Sequence, residues 1–228
     1  MRKKIFLRYG REFVVLSCDG RPGGTVAEET QDLFQRVDKE LRELSLALEN
    51  TVRVRIWGRD KEARILATAE RSKILTEKTK ASSSSYICPG HFDSNARVAL
   101  DLIAMRTANP GFRRKPVEFD PPRNYLRYLI YDSFAFLSGI TSAGPNLDNQ
   151  LAEILTEIEG SLTDGGTSWD KVTSASFYLH RSQKVELLRG LLEKKRRIGI
   201  AQMEFCFVDG FASEGRLVEV EVTAKIDK

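Results

Sequence analysis

Cysteine and histidine are scarce in this sequence, which has three cysteines and two histidines among its 228 residues. The cysteines, Cys18, Cys88 and Cys206, are odd in number and far apart, which excludes a disulfide framework and a paired-cysteine zinc or redox motif. The histidines, His91 and His180, lack the spacing of metal ligands. No phosphate-binding glycine loop is present either, so we expect neither a metal nor another cofactor.

Long apolar runs and a strong charge of one sign are also missing. No segment approaches the roughly 18 apolar residues of a membrane span, and the opening MRKKIFLRYG turns polar too soon for a secretory signal. The 36 Lys+Arg and 32 Asp+Glu residues leave a net charge of only +4, and the basic runs are short and scattered. Nucleic-acid-binding proteins carry a coherent basic stripe. These absences predict a cytoplasmic protein with no membrane or nucleic-acid partner.

What the sequence does contain is an internal repeat, with an offset of about 120 residues. Four apolar positions that share one helix face recur 121 residues later, where Leu33, Phe34, Val37 and Leu41 are replaced by Ile154, Leu155, Ile158 and Leu162. The alternating segment 52–57 recurs as 173–178 at the same offset, and 98–104 recurs as 218–224 at an offset of 120. A duplicated unit is the simplest explanation.

Each copy has the pattern of a ββαβαββ unit, and four of the seven prolines fall between the copies. We therefore predict a first domain at 1–108, a linker at 109–123 and a second domain at 124–228. The predicted elements are a strand or hairpin, a helix, a strand, a helix and a closing hairpin, at 5–18, 28–46, 50–58, 61–78 and 81–104 in the first copy and at 126–140, 148–164, 171–180, 182–196 and 200–226 in the second.

Both helices of a copy should cover one face of its sheet, and strand parity then identifies the residues on the uncovered face. With Phe205 and Phe207 directed to the core, that face carries Arg53, Arg55, Trp57, Ser82, Ser84 and Tyr86 in the first copy and Tyr178, His180, Gln202, Glu204 and Cys206 in the second. Such a mixed face is expected to pack against another copy and to leave polar clefts in which small molecules bind.

The second copy also carries motifs in the order of a known family. They are Phe136-Leu137-Ser138-Gly139, Gln150, Trp169-Asp170-Lys171-Val172 and the strand 217–224. Over 126–226 the chain resembles the RidA (YjgF) family of enamine/imine deaminases, and the first copy resembles it more weakly. The chain is thus similar to a tandem-domain member, distantly like the chorismatases. The resemblance implies an α+β chorismate-mutase-like fold, trimeric packing of sheets around a barrel, and ligand clefts between neighbouring domains.

One departure from the family affects function. Deaminating members have an arginine that holds the substrate carboxylate, on the first strand of the closing hairpin, where a planar guanidinium suits the task. Here either Gln202 or Glu204 takes that position, depending on the alignment, and neither is a cation. Arg53 and Arg55 project from the face that needs the charge, so they either replace the lost arginine or form a solvated or salt-bridged edge.

The remaining candidates follow from the resemblance. Glu219 matches the family glutamate that acts on the water or leaving group, and partial burial would raise its pKa toward a value suited to proton transfer. Ser138 and Gly139 match the loop whose backbone N–H groups face the ligand, and glycine permits close approach. Tyr178 and Cys206 share the uncovered face, and packing is the leading interpretation for the cysteine.

The leading hypothesis is a cofactor-independent enzyme that binds its substrate in an inter-domain cleft. Glu219, and with it Glu204, would move protons during hydrolysis, elimination or tautomerisation of a small carboxylated or nitrogenous metabolite. Gln202, Ser138, Gly139, Arg53, Arg55, Tyr178 and Cys206 would bind that substrate. The alternative is a non-catalytic module that binds a metabolite or stabilises a protein. In both cases we expect a homo-oligomer, with a trimer favoured.

Overall fold

The computed structural model describes residues 1–108, 111–112, 114–195 and 200–226, and within these ranges it shows two sheets and four helices in an α+β arrangement. Parts of the predicted linker, the end of the predicted helix 182–196 and the last two residues of the predicted second domain lie outside these ranges. The predicted domain limits stay a prediction. Among the described residues, no helix is both long enough and apolar enough to cross a membrane.

The first repeat consists of a five-stranded sheet with two helices on one face. Its elements are β1 (Arg2–Arg8), β2 (Arg11–Asp19), α1 (Val26–Glu43), β3 (Thr51–Gly58), α2 (Lys61–Ile74), β4 (Ser82–Ile87) and β5 (Val98–Arg106). Thr25 begins α1 with a capping box that it forms with Glu28, and Asp60 caps α2 by accepting the Ala63 N–H at 2.8 Å. These short polar side chains satisfy backbone N–H groups that have no partner within the helix.

The second repeat has the same order of elements with two short strands added. Its elements are β6 (Lys115–Val117), β7 (Tyr128–Tyr131), β8 (Phe134–Leu137), β9 (Ile140–Thr141), α3 (Leu147–Asp164), β10 (Val172–His180), α4 (Val185–Lys194), β11 (Met203–Val208) and β12 (Val218–Lys225). The predicted linker is more than a connection, because its β6 pairs with β7 at the edge of this sheet. Proline is tolerated there since an edge strand needs fewer N–H donors.

The structure corrects the predicted closing hairpins. The strand orders are β1-β2-β5-β3-β4 and β11-β10-β12-β8-β7-β6, with β9 on β12. The last strand of each repeat therefore lies inside its sheet, between partners from earlier in the chain. The preceding strand lies at an edge of the sheet and pairs in parallel, β4 with β3 in the first repeat and β11 with β10 in the second. Strand type was evident from alternation, but pairing depends on contacts between distant segments.

The repeat itself is present in the structure. Helices α1 and α3 both span 18 residues, and their limits differ by the predicted 121 positions. The eight repeated apolar positions of these helices are all buried. Phe207, which was predicted to face the core, is exposed at 41%, and Leu187 on the apolar stripe of α4 is exposed at 52%. Phe207 lies near the end of the edge strand β11, where no further strand covers it.

The uncovered faces of the two sheets pack against each other within one chain. One shared cluster contains Phe13, Met105, Leu129, Phe134 and Phe136. The other contains aromatic rings from both repeats, with Tyr86 stacked on Tyr178 at a centroid distance of 4.0 Å. Each repeat also has its own helix-covered core. The predicted mixed face is therefore an interface inside the molecule.

Candidate active site

The structure divides the predicted site residues into four groups along the inter-repeat interface. Glu219, Ser138 and Gly139 meet strand β4 of the first repeat. Arg53 and Arg55 surround a neighbouring carboxylate, that of Glu221. Gln202 and Glu204 line a separate cavity between the sheets, whose wall includes both of these arginines. Tyr178 and Cys206 belong to, or pack against, the aromatic cluster of Tyr86.

Glu221 is the centre of a buried ion cluster. Arg55 donates to its Oε2 from Nε at 2.9 Å and from Nη2 at 2.7 Å, and Arg53 Nε lies 3.4 Å from the same oxygen. Ser84 donates to Oε1, and Tyr86 OH lies 3.4 Å from it. Burial acts to raise the pKa of Glu221, but the two guanidinium groups outweigh it and lower the pKa below its ordinary value.

The two arginines of this cluster have further partners within the protein. Arg53 also donates to the carbonyl oxygens of Leu137 and Val222, at 2.9 and 2.8 Å, and to the hydroxyl of Thr223 at 3.1 Å. Arg55 is held by Glu221 and reaches toward Ser176. Both arginines are therefore ion-paired with Glu221, and their part in binding a substrate stays a prediction.

Glu219 stands two residues before Glu221 on β12 and has the opposite environment. Its side chain is buried, and among the residues that the structure describes its Oε1 has no hydrogen-bond partner. Burial, followed by the negative charge of Glu221, raises the pKa of Glu219 to about 8. A hydrogen bond with Tyr86 and the charge of Arg64 act in the other direction without offsetting it. Near neutral pH this group is therefore mostly a carboxylic acid, able to give up a proton.

The loop Ser138–Gly139 packs directly on Glu219, and a Cβ atom at Gly139 would overlap the Glu219 carboxylate. Only glycine permits this approach. The backbone donors of the loop are nevertheless engaged, because the Gly139 N–H donates to the Ser83 carbonyl at 3.3 Å and the Ser138 N–H to the Arg127 carbonyl at 3.2 Å. The Ser138 hydroxyl in turn accepts the Ser83 N–H at 3.0 Å. Strand β4 thus takes the place that the resemblance assigns to a ligand.

Arg64 is a functional candidate that the sequence analysis missed. It lies in the first turns of α2, is 6% exposed, and donates from Nη1 to the Ser85 hydroxyl at 3.0 Å. Within the described part of the chain, its Nε has no hydrogen-bond partner. Burial lowers the pKa of Arg64, and the charge of Glu219 partly opposes this. Arg64 is therefore a buried guanidinium on α2 that lies within the electrostatic reach of Glu219.

A sequence signal for Arg64 existed in the helix periodicity. Arg64 and Arg71 are seven positions apart and fall on the stripe of α2 that also contains Ala63 and Ala67, which are fully buried. Arg71 is buried too, and burial followed by the charge of Arg64 lowers its pKa to about 10. Cations on a buried helix stripe are rare unless they are paired. Two at this spacing point to a site rather than to a solvated face.

An open cleft lies close to Glu219 and Arg64 along the chain, although neither residue is in its lining. It has a volume of about 590 Å³ and is lined by Lys61 and Ile87 of the first repeat and by the segment 209–217 of the second. Leu217 and Ile87 lie two residues from Glu219 and Ser85 along their chains, and Lys61 precedes Arg64 by three, which is nearly one helical turn. On each of the three segments, a residue that lines the cleft is therefore two or three positions from Glu219, Ser85 or Arg64.

Tyr178 and Cys206 serve the interface by packing. The Tyr178 ring stacks on Tyr86, and the Arg55 guanidinium lies 5.5 Å from its centroid. Burial raises the pKa of the Cys206 thiol, which reduces its nucleophilicity at neutral pH. Glu204 is exposed and receives hydrogen bonds from Ser176 at 3.1 Å and from Gln202 at 3.0 Å. None of these three residues has a buried carboxyl group like that of Glu219.

Comparison with solved structures relates this fold to known ones. A structure described as a chorismatase matches over 97% of this chain and 79% of its own, with a TM-score of 0.62 and 16% sequence identity. A member of the YjgF/YER057c/UK114 family from Mycobacterium tuberculosis covers 50% of this chain and all of its own, with a TM-score of 0.43 and 21% identity. A YjgF-family protein from Neisseria meningitidis covers 51% and 97%, with a TM-score of 0.44 and 20% identity.

No protein-family model matches the chain, and no curated protein was found to be similar to it. The chorismatase match extends over both repeats and shows that the two proteins share a fold. The expected architecture, two tandem RidA-like ββαβαββ units with facing sheets, is confirmed. At 16% identity the match concerns the fold, and the chemistry has to be argued from the residues of this chain.

Proposed function

We propose that this protein is a cofactor-independent enzyme that uses Glu219 to move a proton on a small carboxylate-bearing metabolite held by Arg64. The observation that carries the proposal is the state of Glu219, which is buried, lacks a partner at Oε1 and has its pKa raised to about 8. A carboxyl group with a pKa near the working pH is efficient both as a proton donor and, once ionised, as an acceptor.

Arg64 suits the task of holding the carboxylate. Its Nη1 donates a hydrogen bond to the Ser85 hydroxyl, whereas its Nε is an unused donor. The edge of a guanidinium group binds carboxylates through parallel hydrogen bonds. A bound anion would also compensate the buried charge of Arg64 and Arg71. Its negative charge would keep Glu219 protonated until the proton is transferred. Hydrolysis, elimination and tautomerisation of a small acid all need such a transfer.

Chorismate is a rational first probe, because the solved structure that shares the fold over both repeats is called a chorismatase. A thermal-shift screen would include chorismate and other small cyclic and 2-oxo carboxylates, and each stabilising compound would be analysed for product formation. A ligand present at 100 times its Kd stabilises the native state by about 2.7 kcal/mol. Such a shift is readily seen as a higher melting temperature.

Once the screen has identified a compound that the protein converts, its turnover tests the role of Glu219. Glu219→Gln should lower kcat by about 100-fold to 10,000-fold, because the proton can no longer be transferred. Arg64→Lys should mainly raise KM, since an ammonium cannot reproduce the bidentate contact. Glu214→Gln provides the matched control, because Glu214 lies in the lining of the cleft and is exposed. Undiminished turnover by Glu219→Gln would contradict the proposal. Glu204→Gln tests the second predicted acid in the same assay.

One observation favours the non-catalytic alternative. Strand β4 already occupies the backbone N–H of Gly139, so the loop expected to face a ligand is closed in this conformation. A module that only binds would raise its melting temperature with a carboxylate and return that carboxylate chemically unchanged. Mass spectrometry of the recovered ligand separates the two functions. The predicted homotrimer stays a prediction that light scattering on the purified protein tests.

A further inference from the structure

A second cavity lies between the two sheets and is separate from the cleft beside Glu219. Its volume is about 270 Å³, and the two cavities share no lining residue. One wall comes from β1, β2 and β3 of the first repeat, and the other comes from β8, β10, β11 and β12 of the second. Facing sheets ordinarily interdigitate without space of this size. The volume is close to the lower limit for small-molecule sites, which is about 300 Å³.

Aromatic rings from both repeats form the apolar side of this cavity. Phe6 stacks on Phe13 at a centroid distance of 5.6 Å with an interplanar angle of 11°, and Phe13 meets Phe134 edge to face at 6.1 Å. Tyr9 and Phe136 complete this side. Walls of flat rings offer the closest contact to a ligand that is itself flat.

The polar side of the cavity carries an excess of positive charge. Four cationic side chains line it, Lys4, Arg8, Arg53 and Arg55, against the single carboxylate of Glu204. Glu221, behind the wall, compensates one of the cations. Low-dielectric walls concentrate the resulting positive potential inside the cavity.

Lys4 is the cation available to a ligand. It shares the cavity-facing side of β1 with Phe6 and Arg8, and within the described part of the chain no carboxylate lies in ion-pair range of its ammonium group. Arg8 is engaged in closing the cavity, since it donates to the Gln202 side chain and, at 3.0 Å, to the Thr173 carbonyl of the other repeat. Gln202 and Ser176 hold Glu204 in place.

We propose that this cavity binds a small anion that carries a flat ring, with the ring against the phenylalanine walls and the anionic group toward Lys4. The site would be distinct from the one beside Glu219 and independent of its chemistry. Benzoate is the simplest probe of this class. Acetate supplies the same charge without the ring, and benzyl alcohol supplies the ring without the charge.

Isothermal titration calorimetry on the full chain at low ionic strength tests the proposal. We expect benzoate to bind at least tenfold more tightly than acetate or benzyl alcohol. Lys4→Gln should weaken benzoate binding about fivefold, which corresponds to the upper range for an exposed charge pair. Lys3→Gln is the matched control, because Lys3 is on the opposite face of the same strand and pairs with Glu40. It should leave benzoate affinity unchanged.

Two further variants assign the location. Ser174→Phe places a ring in the cavity from β10 and should abolish benzoate binding while cooperative unfolding is retained. Glu219→Gln should leave benzoate affinity as it is, so this test and that of the enzymatic proposal fail independently. The proposal is overturned if benzoate does not bind at millimolar concentration, if acetate binds equally well, or if Lys3→Gln and Lys4→Gln have the same effect. If Ser174→Phe does not fold, the comparison of Lys4→Gln with Lys3→Gln decides whether the proposal holds.

Discussion

Glu219 and Glu221 form an informative pair, because they stand two residues apart on one strand, face the same interface and are both buried. Glu221 has two guanidinium groups and a hydroxyl around it, and its pKa is lowered. Glu219 has glycine against it and a free oxygen, and its pKa is raised to about 8. Equal burial therefore gives opposite protonation states, and the partners decide which carboxylate holds the repeats together and which is available for chemistry.

The strongest test of this contrast is Glu221→Gln. It leaves Arg53 and Arg55 buried without a counter-charge, which should lower the free energy of unfolding by about 3–5 kcal/mol. Urea denaturation at neutral pH measures the change. Glu204→Gln is the control, since Glu204 is exposed and its hydrogen bonds come from the neutral side chains of Ser176 and Gln202, so that its loss should cost less than about 1 kcal/mol. Equal losses would remove the distinction between the two carboxylates.

The pH dependence of stability tests the raised pKa of Glu219. A carboxyl group with a raised pKa in the folded state binds its proton more tightly there than in the unfolded chain, so stability falls as pH rises from about 4.5 to about 8. Between pH 5 and pH 8 the protein should lose about 4 kcal/mol relative to Glu219→Gln. The contribution of Glu221 has the opposite sign. Because the pKa of Glu221 is lowered, its charged form stabilises the fold at pH values above the ordinary pKa of glutamate, and this stabilisation is lost in acid. Parallel curves for the protein and Glu219→Gln would show that Glu219 titrates normally.

The contact between Gly139 and Glu219 predicts a smaller effect. Gly139→Ala forces the Glu219 side chain away, which should lower the free energy of unfolding by about 1–3 kcal/mol. It should also return the pKa of Glu219 toward its ordinary value, because the displaced carboxyl gains water. Gly190→Ala in α4 is the control, since a Cβ there meets nothing within 4 Å and alanine favours the helix. A pH profile unchanged by Gly139→Ala would contradict this account.

The smallest effect is expected for the ion pair across the mouth of the 590 Å³ cleft. Lys61 and Glu214 are 2.7 Å apart and both are exposed. Solvent screens such pairs, so Lys61→Gln should leave the unfolding midpoint unchanged. Differential scanning calorimetry in low and high salt checks this, and a lowered midpoint would mean that the pair helps to close the cleft.

Helix positions were the most predictable part of the fold. The periodicity that predicted a helix at 148–164 corresponds to Leu147–Asp164 in the structure, and the prediction of 61–78 extended four residues past the end of α2 at Ile74. Apolar spacing within a few turns is a local property, and helix ends depend on caps that are also local. The closing hairpins were mispredicted because the alternation of a strand is the same whichever strand it pairs with.

The candidate site was predictable only in part. Glu219, Ser138 and Gly139 were identified from motifs and do lie together, whereas Arg53 and Arg55 lie on the expected face but are taken up by Glu221. Arg64 was not predicted because the family resemblance assigns the arginine to a strand, whereas Arg64 lies on α2. Its position on the buried stripe of α2 was readable from the sequence, but its neighbour Glu219 is 155 positions away.

The amino-acid sequence by itself determined the duplicated ββαβαββ pattern, the helices and the faces of the strands, because each follows from the spacing of apolar residues over short distances. Only the tertiary structure decided which carboxylate is ionised, which arginine is unpaired and where the cavities lie. These properties arise where two repeats that are distant in the chain bury charges together, and the free energy of a buried charge depends on every partner brought to it.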